Sequence, residues 1–438
     1  METNLIRAEW TDLDSAELRM LLDMRIGGPG QYDSREGGPN TLYLPLARAS
    51  CKIKLTFRGG DIVRVEPGPA YDATEWEQTC EEIEKSILSG PLKVGREYSF
   101  NSFRVLGSWR GLRSGVQILP APADAPLAPL EAADHPFILE FPVRVSDLDR
   151  ITNHRRIRDH RRLTLLLNVL LRGSTSFDAP RPGHFWGGVP GGMETKWVQQ
   201  FFFAKLGPTI ADTLSAAANE QLEEMKPDEY YKEIGNDGRG LRVPSDLDDS
   251  IWLYMQLSAA NRAKFDRATF WMDVSSRQWT ISISSSFASL VAAVESLTDR
   301  GVVHRVYCKQ CKGMCQHEAP GATERFRAFF EKFAPGVAQR KRRNEMYAVR
   351  SGIVHGSDLM QIDQGRDFGW DPPGFDELEL YSELWAVTRT ALRNWLRNPG
   401  DKNQVGQRTR SSSQRFILGL TGTMLALLAL HLWRNRQT

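Results

Sequence analysis

Between Tyr347 and Gly356 the chain reads Tyr-Ala-Val-Arg-Ser-Gly-Ile-Val-His-Gly, which sets a guanidinium at Arg350, a hydroxyl at Ser351 and an imidazole at His355. On a helix Ser351 and His355 share a face, while the long Arg350 side chain starts on the neighbouring face and can bend towards them. These are the groups that RNA cleavage needs. RNA carries its own nucleophile, the 2′-OH, beside every phosphate, so a protein has only to move protons and hold the charge that develops on phosphorus. An imidazole titrates near neutral pH and can serve as acid or base. A guanidinium stays charged, and its planar fork fits phosphate oxygens. Ser351 can orient the imidazole or bond to phosphate. Gly352 in mid-helix costs about 1 kcal/mol relative to Ala, which points to a close approach to its backbone, and Gly356 offers a place for the helix to end. An Arg and a His at this spacing also serve to tie a helical bundle together by hydrogen bonds.

Two further clusters carry chemistry. Arg340, Lys341, Arg342 and Arg343 lie just upstream of the motif, where cations can draw in an RNA backbone with little sequence preference; a solvated charge run is the alternative. Cys308, Cys311, Cys315 and His317 offer three thiols and an imidazole within a short stretch. One Cys-x2-Cys is a half-site for zinc, and three or four such ligands would close a structural Zn site. A loop of reduced cysteines between two bundle helices is the other reading.

The elements that must position these residues follow from periodicity. Phe287, Leu290, Val291, Val294 and Leu297 keep helical spacing, as do Phe326, Phe329, Phe330 and Phe333 before Ala334-Pro335-Gly336. Leu378, Tyr381, Leu384, Trp385, Thr388, Leu392 and Trp395 form the stripe of a long closing helix, so with the motif helix four helices can share one core. Two earlier helices, near Ile251 and from Ala263 to Val274, feed into them. Upstream, Cys51 to Glu66 alternates as a β-hairpin, and Asp72 to Glu75 resembles a capping box before the stripe Trp76, Cys80, Ile83 and Ile87. Cys80 therefore reads as core. Further strands fall near 98–106, 116–119 and 137–141. Arg150 to Arg162 is a basic lead-in to a core helix, open either to phosphate or acidic lipid or to plain solvent. The Gly-rich stretch 27–40 and the Pro- and Gly-rich stretch 174–195 read as connections.

Composition narrows the classes. The chain has 438 residues and a formal net charge of +2, enough length for two or three cores and no global field that commits it to nucleic acid. Of five cysteines, three crowd together, which is no disulfide framework. The residues from Met1 to Arg7 lack the basic and apolar regions of a signal peptide. Phe416 to Trp433 is an uncharged run, about 27 Å long as a helix and close to a bilayer core in thickness. Arg415 on one side and Arg434 and Arg436 on the other suit headgroups.

The Arg-x4-His motif, the following Gly, the preceding Tyr-x-x-Arg and the flanking amphipathic helices resemble the HEPN superfamily, and within it the Apea-like HEPN group, over roughly residues 276 to 398. The resemblance implies an all-α bundle that cleaves RNA without a metal cofactor, through Arg350 and His355, as a homodimer in which two motifs face one cleft. It also implies a place in defence or a toxin-like response. Catalytic members often carry Asn, Asp or His directly after the Arg, where this chain has Ser351, so a module that binds RNA or a protein partner without catalysis is the alternative. The expected architecture is α+β: a β-containing N-terminal domain at 1–145, acting as a sensor, and a mostly helical middle at 146–275. The HEPN bundle at 276–398, a polar linker at 399–415 and a C-terminal transmembrane helix at 416–433 follow, with the bulk of the chain cytoplasmic.

Overall fold

A computed structural model describes residues 15–26, 41–45, 52–58, 61–67, 72–88, 90–123, 125, 133–177, 208–231, 240–298, 302–308, 313–336, 340–364 and 372–399. In order the elements are α1 (Ser15–Ile26), β1 (Thr41–Pro45), β2 (Lys52–Arg58), β3 (Asp61–Pro67), α2 (Ala73–Leu88), β4 (Leu92–Asn101), β5 (Trp109–Arg110) and β6 (Gln117–Pro120). Then come β7 (His135–Arg144), α3 (Asp149–Leu170), β8 (Thr175–Phe177), β9 (Ile210–Ala211), β10 (Glu224–Met225), α4 (Pro227–Tyr230) and β11 (Val243–Pro244). The rest are α5 (Leu247–Met255), α6 (Ala259–Gln278), α7 (Ile283–Leu297), β12 (Val302–Cys308), β13 (Gly313–Ala319), α8 (Ala322–Phe333), α9 (Arg340–His355) and α10 (Pro372–Arg397). Helices and sheets together make the α+β class. The chain divides into two compact units, one of residues 1–96, 141–161 and 208–214, the other of 97–140, 162–207 and 215–438.

In the first unit β1, β2 and β3 pair antiparallel in that order. The expected hairpin is present, with a register shift at Thr56/Phe57 that leaves one extra residue on β3. That extra residue lets Ile62 and Val65, three apart, both turn inward beside Ile53 and Leu55. Leu18, Leu21 and Leu22 of α1 close this core together with Cys80 and Ile83 of α2, so Cys80 is a core thiol as expected. Asp72 caps α2, its Oδ1 accepting from the Thr74 N–H at 2.7 Å.

The basic lead-in of α3 is solvated in part, with Arg150 and Arg161 exposed, but its centre is turned inward. Arg155 is buried and donates from Nε to Glu17 Oε1 at 2.6 Å, and Arg158 donates to the other carboxylate oxygen. The helix period turns these two arginines towards α1, whose Glu17 is itself buried.

The second unit carries the sheet order β5-β6-β7-β4-β8 and a bundle of α5 to α10. Ser258 and Ser282 cap α6 and α7, accepting from the N–H groups of Asn261 and Ser285. The apolar stripes expected from spacing are the buried ones: Phe287, Leu290, Val291, Val294 and Leu297 on α7, and Phe326, Phe329, Phe330 and Phe333 on α8. α10 packs against each of α5 to α9 and buries Tyr381, Leu384, Thr388, Leu392 and Trp395 among them. Rings lock the helices in pairs, Phe265 on Trp395 at 5.6 Å, Trp279 on Tyr381 at 4.7 Å and Phe326 on Tyr347 at 5.3 Å.

Two expectations are corrected. The cysteine segment is not a plain loop, because β12 and β13 pair antiparallel from Val302 opposite Ala319 to Cys308 opposite Gly313. The β-branched Val302, Val303 and Val306 with Tyr307 favour a strand over an irregular connection. The connection expected at 174–195 begins instead with strand β8, Thr175–Phe177; its part from 178 on, the connection at 27–40, the 399–415 linker beyond Pro399 and the Phe416–Trp433 run lie outside the described residues. Among the described residues no helix is long and apolar enough to cross a membrane.

Candidate functional site

α9 carries the motif, and its face pattern decides what each group can do. Arg343, Met346 and Tyr347 are buried and Arg350 continues the same stripe one turn on, so Arg350 leans into the bundle. There its Nη2 donates to Glu295 Oε2 of α7 at 2.9 Å. The Tyr347 hydroxyl donates to the other oxygen, Oε1, at 3.1 Å, and the Arg350 guanidinium lies 5.6 Å from the Tyr347 ring centroid. Burial, and then the Glu295 carboxylate, push the Tyr347 phenol up, which keeps its proton on the bond to Glu295. Neither Nε nor Nη1 of Arg350 is used by any described residue. Glu295 is thus the residue that fixes the motif arginine. Its only local signal was that it is the one charged residue of α7, in the last turn.

His355 stands at the end of α9 and is exposed. Gly356, with φ of 73°, turns the chain there. Its N–H donates to Ile353 O at 3.1 Å and the Ser357 N–H to Gly352 O at 3.0 Å, the paired bonds of a Schellman close. The imidazole therefore occupies the C-cap place, free of hydrogen bonds among the described residues. Ser351 is half-buried, between the inward Arg350 and the exposed end. Gly352 meets the close approach that its position implied. A Cβ there would collide with the Asp358 side chain, which folds back over the helix end.

The segment after His355 is stapled to α7. Met360 N–H donates to Ser284 Oγ at 2.9 Å, and Asp363, in the short 3-10 turn Gln361–Gln364, accepts from the N–H groups of Ile283 and Ser284 at 3.0 and 2.7 Å. Burial pushes the Asp363 carboxyl up, but the bonds from Ser284, Ser282 and Ile283 outweigh it and hold it below the usual carboxylate range. A depressed carboxylate stabilises the fold above its unfolded value, near 3.9, and that contribution is lost as pH falls through the lower folded value. Asp363→Asn should therefore cost about 1–2 kcal/mol at pH 7 and much less at pH 2. Urea midpoints at both pH values check this, and an equal loss at both would refute it.

The basic run is largely committed to the bundle. Arg342 donates to Glu383 at 2.9 Å and Glu345 at 3.1 Å. Arg343 is buried and donates to Ala334 O at 3.2 Å. Lys341 is exposed, and the Arg340 side chain lies outside the described residues. Spacing alone did not separate these roles, because the carboxylates that take Arg342 come from α10 as well as from its own helix.

The cysteine cluster is placed only through its backbone. Cys308 stands opposite Gly313, Cys315 opposite Val306 and His317 opposite His304, while Cys311 lies outside the described residues. Among the residues whose side chains are described, no group of three or more His, Cys, Asp or Glu is poised for a metal ion. No protein-family model, curated protein or solved structure matches this chain.

Proposed function

We propose that this chain is a membrane-anchored, metal-independent HEPN endoribonuclease of the Apea-like kind, acting as a defence or toxin-like effector. The observation that carries the reading is the way Glu295 holds Arg350 by one nitrogen, with Nε and Nη1 unused by any described residue, on the helix that presents His355 to solvent. In the reaction the RNA 2′-oxygen bonds to phosphorus as the P–O5′ bond breaks, giving a 2′,3′-cyclic phosphate and a 5′-hydroxyl. His355 carries a proton from the attacking hydroxyl or to the leaving oxygen. Arg350 holds the charge on the phosphorane oxygens, and Ser351 orients the imidazole or the phosphate. One copy supplies a single histidine for two proton transfers, so a homodimer with two motifs in one cleft completes the site. Of the basic run, the exposed Lys341, together with Arg340, draws in the RNA backbone.

Phe416 to Trp433 serves as a single-pass anchor with the bulk of the chain cytoplasmic, and Cys308, Cys311, Cys315 and His317 hold one structural Zn. RNA incubated with the full-length protein in detergent, with and without EDTA, tests the central step. Cyclic-phosphate ends formed equally in both support it, and intact RNA in both defeats it. Membrane fractionation, elemental analysis and sedimentation check the anchor, the Zn and the dimer in turn. A soluble, zinc-free or monomeric active protein removes the corresponding part.

A second reading is favoured by a specific observation. With Arg350 on Glu295, Arg342 on Glu383 and Arg343 buried, much of the basic side of α9 is spent on holding the bundle. This suits a HEPN module that binds RNA or a protein partner without cutting.

A further inference from the structure

The register of the β12–β13 ribbon sorts its residues in a way that the spacing of the cysteines does not reveal. His304 stands opposite His317, Val306 opposite Cys315 and Cys308 opposite Gly313. Directly opposed residues lie on one face of a ribbon, and every second residue along a strand returns to that face. His304, Cys308, Cys315 and His317 therefore share a face, while the polar Arg305, Gln316 and Glu318 fall on the other. The chain has eight histidines and five cysteines in all, and every one that these two strands carry takes the same side.

Distance along the ribbon then separates the four. Opposed residues have Cβ atoms about 4.5–5.5 Å apart, and diagonal neighbours lie about 7–8 Å apart. Cys315 is diagonal to His304 and two residues from His317, about 7 Å along its own strand. Two imidazoles and one thiol thus fall within reach of one ion. Cys308 stands four steps from the level of the histidine pair, about 13 Å of strand, farther than a Cys and a His span to a common ion. Two imidazoles and a thiolate with a fourth place for water suit Zn. Met314, which could add the long axial bond of a copper electron-transfer site, falls on the opposite face. The need for a clip is physical as well, because the ribbon is a sheet of two strands. Such a pair is marginally stable by itself, and a metal tying one strand to the other adds its binding energy to folding.

We propose that His304, Cys315 and His317 form a three-ligand Zn site across the β12–β13 ribbon, with the fourth position open to water. This site rests on the reading that the segment binds Zn, and it puts His304 in the ligand set in place of Cys308. Full-length protein in detergent, purified without chelator, should carry Zn by elemental analysis. In competition with a chelator, His304→Ala and His317→Ala should each weaken Zn²⁺ by more than the about 10- to 100-fold that loss of an outer-shell partner costs. Cys308→Ser should bind as the wild type does. Protein in which Co²⁺ replaces Zn gives a second readout, an absorption band from thiolate to cobalt that Cys315→Ser should lose and Cys308→Ser should keep. His304→Cys keeps a ligand at that position and should strengthen the band, which covers the case in which the alanine variant does not fold. Zn lost in Cys308→Ser but kept in His304→Ala returns the ion to the cysteines and overturns this ligand set, as does a band unchanged in His304→Cys. A wild type that takes up neither Zn²⁺ nor Co²⁺ defeats the Zn reading itself.

Discussion

Under the proposed ribonuclease reading, RNA cleavage should fall to background in both His355→Ala and Arg350→Ala, with the fold of each variant intact. Removing His355 takes away the proton carrier, typically a factor of about 10² to 10⁴, and removing Arg350 takes away charge stabilisation of similar size. The stability side is small. His355 is exposed and has no hydrogen bond among the described residues, and the Arg350 to Glu295 pair is partly open to solvent, 21 % and 30 % exposed, where such pairs contribute under about 1 kcal/mol. Arg350→Lys should rescue poorly, since an ammonium cannot keep Glu295 on one nitrogen and offer a planar two-point grip with the others. Glu295→Gln keeps the acceptor for Arg350 but loses the charge, so it should lower the rate without abolishing it. Ser351→Asn should keep or raise activity. Product analysis by gel and by mass of the cyclic ends reads all of these. If the wild type cuts no RNA and both alanine variants unfold, the motif is structural and the binding-module reading replaces this one.

What the sequence revealed and what it hid divide along a physical line. The α7 and α8 stripes, the 52–67 hairpin and the core role of Cys80 were legible because burial on one face imposes a local period that composition cannot fake. The roles of the charged residues were not. Arg343 and Lys341 are two apart and look alike in sequence, yet one is buried and the other exposed. The partner of Arg350 is fifty-five residues away on α7, and no spacing rule reaches that far. The stacking of Arg393 of α10 on Tyr231, and the bond from the Tyr231 hydroxyl to Leu170 O of α3, were invisible for the same reason, since Tyr231 lies just past α4 and the three come together only once the second unit folds. The cysteine segment failed differently. Its strand signal was not an alternation but the β-branched Val302, Val303 and Val306 with Tyr307, which pair it as a hairpin.

The largest effect on stability should come from Glu17→Ala in the first unit. The carboxylate is 1 % exposed and takes Arg155 Nε at 2.6 Å, while Arg155 itself is 4 % exposed and also donates to Arg144 O at 3.2 Å. Truncating the acid leaves a guanidinium buried beside α1 with one carbonyl partner among the described residues, and breaking a buried pair from one side costs about 3–5 kcal/mol. That is a large part of the 5–15 kcal/mol or so that holds an ordinary domain together. Arg158 adds little to the penalty, because it is 21 % exposed and keeps Asp159 at 2.8 Å. The sign of the coupling is the sharper test. Glu17→Leu combined with Arg155→Met removes both charges and fills the space with apolar atoms, so the double variant should be more stable than either single one. Denaturant midpoints for the four proteins complete the cycle. Single variants that cost less than about 1 kcal/mol, the range of a solvated pair, would mean that α1 does not bury Glu17 against α3 in solution.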